Sequence, residues 1–300
     1  MLQDPMRVAE AAPAVFPTRS GLRLAAEVIG EGPRGVVMLA HGGGQTRHAW
    51  ASTAERLAER GWRAVSLDLR GHGQSEWAPD GDYAIARFAE DLVDVARAVG
   101  GRPAMIGASL GGMAGLAVET QVAPGTFSSL TLVDIVPRSD PEGVAKIMGF
   151  MGANLEHGFD SLEAASDAIA AYLPHRRRPT DLSGLRKNLR LGADGRWRWH
   201  WDPAFVTGMS RRRAADALAE PRYEDMDLPV HLIRGRMSEL VSPEAAEAFV
   251  AILPKGSFTD VADAGHMVAG DRNDAFLEAA LAFLEAQANL HRPSPSGEGG

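Results

Sequence analysis

The sequence predicts an α/β protein in which a mostly parallel central sheet is flanked by helices. Short apolar runs alternate along the chain with longer amphipathic stretches, a pattern typical of parallel strands joined by helices. The apolar runs are continuous, as expected for strands that are buried on both faces. A glycine-rich turn with a serine at its centre, residues 107–111, lies between one such run and a helical stretch.

The strands and helices of the core are predicted from the spacing of apolar residues and from the glycines that end them. Residues 21–29 alternate apolar and other side chains, so we expect this first strand at an edge of the sheet. The buried strands are expected at residues 36–40, 63–68, 102–106, 130–136, 230–234 and 257–261. Core helices are expected at residues 52–60, 85–99, 243–253 and 272–288, and a further helix starts at Met113.

The strand–helix rhythm stops between residues 137 and 222. No strand-like run is found there, and helical spacing occurs near residues 142–156, 161–173 and 184–191. Because ligands in open α/β sheets bind at the carboxyl ends of the strands, we interpret this insertion as a helical lid over such a site. The predicted division is a core of residues 18–136 and 223–290, a lid of residues 137–222 and loose termini at 1–17 and 291–300.

The amino-acid composition limits the kinds of functional site that the protein can have. A chain of 300 residues, 45% of them apolar, has ample material for a large core in one domain. Its net charge of −8 argues against a general nucleic-acid or anionic-membrane surface, and the lack of cysteine excludes disulfides and thiol nucleophiles. We recognise no signal peptide, apolar run of membrane-spanning length or metal-ligand cluster. We therefore expect a cytoplasmic protein without metal or cofactor, and its oligomeric state stays open.

The turn at residues 107–111 has the residue types that a nucleophile elbow requires. Glycines 107 and 111 remove the Cβ atoms that would collide in a sharp strand-to-helix turn, and the Ser109 hydroxyl then stands clear of the sheet. The amide of Leu110, at the start of the helix, can point at a developing oxyanion. The five residues alone also fit a turn that merely packs a helix onto a strand, so further motifs must decide.

Four motifs in order carry a resemblance to the α/β-hydrolase superfamily. They are His41-Gly42-Gly43-Gly44, Asp68-Leu69-Arg70-Gly71-His72-Gly73, Gly107-Ala108-Ser109-Leu110-Gly111 and Gly265-His266. The resemblance covers roughly residues 20–288 and implies the α/β-hydrolase fold, with the helical lid inserted after the sixth strand.

The resemblance also implies a catalytic triad in the chain order serine, acid, histidine. A serine hydroxyl is a poor nucleophile at neutral pH and needs a base, for which His266 in the loop after the last strand is the candidate. Two carboxylates compete to orient His266. Glu239 lies a few residues beyond the strand at 230–234, where many family members have an aspartate, and Asp134 ends the preceding strand, where some members have the acid. We predict Glu239 and keep Asp134 as the alternative.

The oxyanion hole and the substrate contacts complete the predicted site. By resemblance, the two amides of the oxyanion hole are those of Gly43 and Leu110. Apolar lid side chains are candidates to line a substrate pocket, although ordinary packing inside the lid would also explain them. The predicted substrate-binding residues are Gly42, Gly44, Met148, Met151 and Trp199.

The motifs favour a serine hydrolase that cleaves carboxylic esters of small to medium apolar substrates through an acyl-enzyme intermediate. Carbon–carbon bond hydrolases, lactonases and cofactor-free perhydrolases of the superfamily use the same constellation and stay as alternatives. Ser109 argues against haloalkane dehalogenases and epoxide hydrolases, whose nucleophile is an aspartate. A small-molecule receptor with the hydrolase fold is the non-enzymatic alternative. The expected partner is a small ester-like molecule, with no nucleic acid and no membrane.

Overall fold

A computed structural model describes residues 10–174, 181–208, 221–266 and 273–290 of the protein. Its strands are β1 Ala12–Pro17, β2 Arg23–Ile29, β3 Val36–Ala40, β4 Arg63–Leu67, β5 Ala104–Ala108, β6 Ser129–Val133, β7 Leu189–Leu191, β8 Trp197–Trp199, β9 Val230–Gly235 and β10 Gly256–Val261. Eight of them form one sheet in the order β1-β2-β4-β3-β5-β6-β9-β10, and β7 pairs with β8.

The central sheet is mostly parallel, as predicted. The pairs among β3, β4, β5, β6, β9 and β10 are all parallel, whereas β1–β2 and β2–β4 are antiparallel. The carboxyl ends of β5, β6 and β9 therefore lie side by side at one edge of the sheet, where side chains from distant parts of the chain can meet.

Helices cover both faces of the sheet, which explains the continuous apolar runs. Val37 of β3 belongs to the same apolar cluster as Phe276, whereas its neighbour Met38 belongs to the cluster of Phe88 on the opposite face. The helices are α1 Ala51–Glu59, α2 Ile85–Val99, α3 Leu110–Ala117, α4 Pro141–Gly152, α5 Leu162–Tyr172, α6 Pro203–Thr207, α7 Pro243–Ile252 and α8 Asn273–Leu290.

The predicted loose arm at residues 1–17 is wrong for its second half. Residues 12–17 form β1, which pairs antiparallel with β2 from Ala12 opposite Val28 to Pro17 opposite Arg23. The prolines at positions 13 and 17 hide this strand in the sequence, but an edge strand tolerates proline because it has a hydrogen-bonding partner on one side only. The predictions for residues 1–9 and 291–300 lie outside the described residues.

The insertion between β6 and β9 is not all helical, which corrects the prediction. It contains α4, α5 and α6, but the helix expected at 184–191 is a 3₁₀ helix at Ser183–Asn188 that runs directly into β7. β7 and β8 then pair antiparallel, with Leu189 opposite Trp199. Strands of three residues are too short to show an alternating pattern, and this hairpin is held by the packing of its aromatic rings.

Gly111→Ala is expected to destabilise the fold by at least about 2 kcal/mol, because overpacking against backbone cannot be relieved by a side-chain movement. A Cβ at Gly111 would lie 2.7 Å from the carbonyl carbon of Ala40 on β3. Chemical denaturation would measure the free energy of unfolding. Gly149→Ala is the matched control, since nothing lies within 4 Å of a Cβ there and alanine favours the helix. Equal stability of the two variants would contradict this close contact.

Candidate active site

Ser109 lies in a strained turn between β5 and α3. Its φ is 44° and its ψ is −109°, a conformation that residues with a side chain rarely adopt. A Cβ at Gly107 would lie 2.6 Å from the backbone carbon of Gly111, so the turn closes this tightly only with glycine. The strand, turn and helix thus have the geometry predicted for residues 107–111.

The ends of neighbouring strands bring Asp134 close to this serine. The Ser109 amide donates to the carbonyl of Val133, the last residue of β6, over 3.2 Å. Asp134 follows directly, with φ of 50°, and its amide donates to the Ile233 carbonyl of β9 over 2.7 Å. The parallel sheet therefore places Ser109 and Asp134 at adjacent strand ends.

The carboxylate of Asp134 is the hydrogen-bond partner of His266. Asp134 is fully buried, and its Oδ2 lies 2.7 Å from Nδ1 of His266. Oδ1 accepts the Gly235 amide over 3.0 Å, and Oδ2 also accepts the Ser238 hydroxyl over 2.6 Å. Because an ionised carboxylate only accepts, Nδ1 of His266 carries a proton, and Nε2 of the neutral ring is the acceptor.

The turn after β9 holds the histidine loop in place. The Arg236 amide donates to the Val261 carbonyl over 2.9 Å, and the Met237 amide donates to the Ala264 carbonyl over 2.8 Å. Ala264 lies two residues before His266. One turn thus contacts both the carboxylate and the segment that carries the imidazole.

The prediction that Glu239 orients His266 is wrong. The alternative carboxylate, Asp134, is the one that lies within hydrogen-bond distance of His266. The Glu239 side chain is 67% exposed and forms an ion pair with Lys146 of α4. In this turn it is Ser238 that points inward at Asp134, whereas the next residue points outward. Sequence spacing could not distinguish adjacent positions of an irregular turn. Ser238 was not predicted, because a single serine in an irregular turn forms no recognisable motif.

The glycine loop that follows β3 is fixed against the serine turn by a buried histidine. The Leu69 amide donates to Nε2 of His41 over 3.0 Å, so Nδ1 carries the proton and donates to the Gly42 carbonyl over 2.8 Å. The Gly111 amide donates to the His41 carbonyl over 3.2 Å. A Cβ at Gly42 would lie 3.4 Å from that of Ser109. The loop therefore lies directly beside the serine.

Sequence reasoning also missed His200, an insertion residue that bonds the glycine loop. Its Nδ1 accepts the Gly73 amide over 2.7 Å, and its Nε2 donates to the Gly44 carbonyl over 3.2 Å. Burial lowers the pKa of His200 to about 4, and burial also lowers the pKa of the neighbouring His72 well below 6.5. Near pH 7 these rings are neutral. The sequence signal for His200 was its position within a run of tryptophans.

Apolar side chains of the insertion pack against the same loop. A Cβ at Gly43 would lie 3.5 Å from Phe205 and 3.7 Å from the sulfur of Met151, which supports the predicted place of Met151. Met148, on the same helix as Met151, is half-buried. Phe205 was not predicted, since it lies on the short helix α6.

Trp199 packs against other aromatic rings of the insertion, and its role in lining a substrate pocket stays a prediction. Its ring is buried, stacks on Trp201 at 4.8 Å and meets Phe159 edge-on at 5.0 Å. Its Nε1 donates to the Ala153 carbonyl over 3.2 Å. These contacts engage one face of the ring and its polar atom. Trp201 instead contacts the glycine loop, 3.3 Å from a Cβ at Gly44.

Neither a metal site nor a membrane span is found in the described ranges. Within residues 10–174, 181–208, 221–266 and 273–290, no group of three or more His, Asp or Glu side chains could hold a metal ion. Of the helices described there, none is long and apolar enough to cross a membrane.

Acidification from about pH 6.5 to about pH 4 is expected to destabilise the fold, in part through His200. In this window the unfolded chain binds a proton at His200 and the folded chain does not, so stability falls as the pH falls. His200→Gln should be less stable at pH 7 because it loses two hydrogen bonds. Its unfolding free energy should depend less on pH, by up to about 1.4 kcal/mol per pH unit.

His231→Gln is the matched control for this measurement. Burial also lowers the pKa of His231 to about 4, but this ring lies on β9 against Phe283, away from the glycine loop. Denaturation curves at several pH values should show a flatter pH dependence for both variants. An unchanged pH dependence in His200→Gln would contradict a neutral, buried His200.

Comparison with known proteins places this geometry in a family. The family model described as alpha/beta hydrolase fold matches residues 35–272. The chain is 30% identical over 266 residues to an esterase of Mycobacterium tuberculosis, and the alignment covers 86% of this chain and 85% of the esterase. A crystal structure of that esterase has a TM-score of 0.69 at 26% identity, with 93% of each chain covered.

Two further similarities agree with this match. The chain is 27% identical over 245 residues to a 3-hydroxybutyrate-oligomer hydrolase of Cupriavidus necator, which covers 77% of this chain and 82% of that protein. An alpha/beta hydrolase from Novosphingobium aromaticivorans shares the fold, with a TM-score of 0.76, 24% identity and coverage of 92% of this chain and 99% of that one. The chain is therefore a hydrolase and belongs to the α/β-hydrolase fold family.

Proposed function

We propose that this hydrolase cleaves carboxylic esters of small to medium apolar substrates with Ser109, His266 and Asp134 as its catalytic triad. The observation that carries the proposal is the 2.7 Å bond between Nδ1 of His266 and the buried Asp134 carboxylate, next to a serine held in a strained turn. A base oriented by a carboxylate, together with a serine nucleophile, is the arrangement that acyl transfer requires. The names of the relatives, an esterase and an oligomer hydrolase, support the same reaction.

The three side chains divide the chemistry as follows. The Ser109 oxygen attacks the ester carbonyl while Nε2 of His266 takes its proton. Asp134 holds the ring in the Nδ1–H tautomer and stabilises the imidazolium that forms. His266 then protonates the leaving alcohol, and a water activated by the same nitrogen releases the acid from the acyl-enzyme.

The amides of Gly43 and Leu110 are the proposed oxyanion hole. Leu110 is the first residue of α3, where amides have no partner within the helix. The Gly42 amide is bonded to Oε1 of Gln45 over 2.9 Å and is thus already used. Gly43 is the next amide in a loop that lies beside Ser109. Two donors held in advance stabilise the tetrahedral intermediate without reorganisation.

The insertion is the proposed lid and supplies the apolar substrate contacts. Met151 and Phe205 border the glycine loop, and Met148 lies on the same helix as Met151. Thioether and phenyl groups favour apolar acyl or alkyl chains over charged ones. This lining supports ester substrates whose groups at the carbonyl are apolar.

Ser109 is expected to be the residue that reacts with a fluorophosphonate. Intact mass should increase by one adduct in the wild type and stay unchanged in Ser109→Ala, because only an activated serine is phosphonylated. A panel of p-nitrophenyl esters should show turnover by the wild type that is greatest for short or medium acyl chains. If the wild type is not labelled at any pH value between about 6 and 9, the proposed function is contradicted.

Asp134→Asn is expected to lower kcat by about 10³–10⁴-fold, because asparagine favours the wrong tautomer of the histidine. Glu239→Gln is the matched carboxylate-to-amide control and should keep kcat within about 2-fold, since an exposed ion pair contributes little. Steady-state turnover of one p-nitrophenyl ester by both variants measures the difference. The reverse pattern would restore Glu239 as the triad acid.

A further inference from the structure

Ser238 is a second side chain that reaches the Asp134 carboxylate. Its Oγ lies 2.6 Å from Oδ2, the same oxygen that lies 2.7 Å from Nδ1 of His266. The other oxygen, Oδ1, accepts the amide of Gly235. The carboxylate thus has three donors, and two of them share one oxygen.

The direction of the Ser238 hydrogen bond is determined by its surroundings. Its Oγ accepts the amides of Leu240 over 3.1 Å and Val241 over 3.2 Å. These donors occupy the acceptor positions of the hydroxyl, and its single proton therefore points to Asp134. Ser238 acts as a donor to the carboxylate and does not compete with His266 as an acceptor.

The backbone of this turn leaves Ser238 little freedom to rotate away. The Ser238 amide donates to the Gly235 carbonyl over 2.9 Å and closes the turn after β9. On the insertion side, the Asp140 amide donates to the Leu240 carbonyl over 2.9 Å. The hydroxyl is therefore held in position by both the sheet and the insertion.

Five charged groups near this turn form ion pairs among themselves. Glu239 pairs with Lys146, while Arg234 and Arg236 pair with Asp260 over 2.8 and 3.2 Å. Asp134 accepts hydrogen bonds from the Gly235 amide, the Ser238 hydroxyl and the imidazole of His266. The hydroxyl of Ser238 and the imidazole of His266 are thus two side chains that bond this carboxylate directly.

We propose that Ser238 is a positioning residue that acts through Asp134 on His266, an inference that rests on the proposed Ser109–His266–Asp134 triad. Its hydrogen bond keeps Oδ2 aimed at Nδ1 and stabilises the charged carboxylate. A carboxylate that receives this donor attracts the imidazolium less strongly. Ser238 therefore raises kcat by orientation and lowers the pH above which His266 acts as a base.

Ser238→Ala tests this role in the full-length protein. With one p-nitrophenyl ester, kcat is expected to fall about 10-fold and KM to change less than about 2-fold, because the interaction acts on the base and not on substrate binding. The acidic midpoint of the pH profile of kcat/KM should rise by about half a pH unit. Ser238→Thr keeps the hydroxyl and should restore kcat to within about 3-fold and the midpoint to its wild-type value.

Ser242→Ala is the matched control in the same loop. Ser242 caps α7 by accepting the Ala245 amide over 3.1 Å, so its loss lowers thermal stability without contact to Asp134. Its midpoint should equal that of the wild type. The pH dependence of fluorophosphonate labelling at Ser109 gives a second reading that needs no substrate, and it should show the same shift in Ser238→Ala.

Two results would overturn the proposal for Ser238. One is a Ser238→Ala variant with wild-type kcat and midpoint. The other is a loss of kcat with an unchanged midpoint that threonine does not restore, which is the result expected of a purely structural residue. Asp134→Asn separates this failure from that of the triad. If Asp134→Asn retains turnover, the proposed function fails, whereas a wild-type-like Ser238→Ala beside an inactive Asp134→Asn rejects Ser238 alone.

Discussion

The buried carboxylate of Asp134 needs hydrogen-bond donors, because an unpaired charge inside a protein costs several kcal/mol. Its donors come from Gly235 and Ser238 in the turn after β9 and from His266 in the loop after β10. These segments are about a hundred residues or more from Asp134 along the chain. The hydrogen bonds that stabilise the charge of Asp134 therefore also assemble the candidate site. The stability and the geometry of the site depend on the same three bonds.

A second constraint is the close approach of backbones beside the serine. The turn at Ser109 lies against the end of β3, and His41 fixes the glycine loop from behind. This arrangement leaves no room for a side chain at Gly107 or Gly111, so backbone amides come close to Ser109. Such a surface suits an oxyanion, which is stabilised by donors that are already in place.

The insertion is tied to the core by buried polar contacts close to the site. His200 bonds the glycine loop and the loop at Gly73, and the Tyr83 hydroxyl donates to the Asp202 carboxylate over 2.6 Å. Buried polar bonds are directional, so they fix this part of the insertion more exactly than apolar packing alone does. Phe205, which follows closely in the chain, is thereby presented to the glycine loop in a defined position.

Much of the fold follows from local sequence patterns and could be predicted from the sequence. Buried strands, amphipathic helices and the glycine turn at Ser109 each depend on the pattern of a few neighbouring residues, and the parallel sheet follows from their alternation. β1 and the hairpin of β7 and β8 were not predicted. Prolines in β1 and the three-residue length of β7 and β8 remove the alternating pattern, although pairing partners exist.

The residue types of the candidate site could likewise be predicted from sequence motifs. The partner of His266 was not, since whether Asp134, Ser238 or Glu239 faces inward depends on contacts between segments that are distant in sequence. Backbone hydrogen bonds between strand ends decide which side chain enters the interior, and those bonds exist only once the sheet has formed.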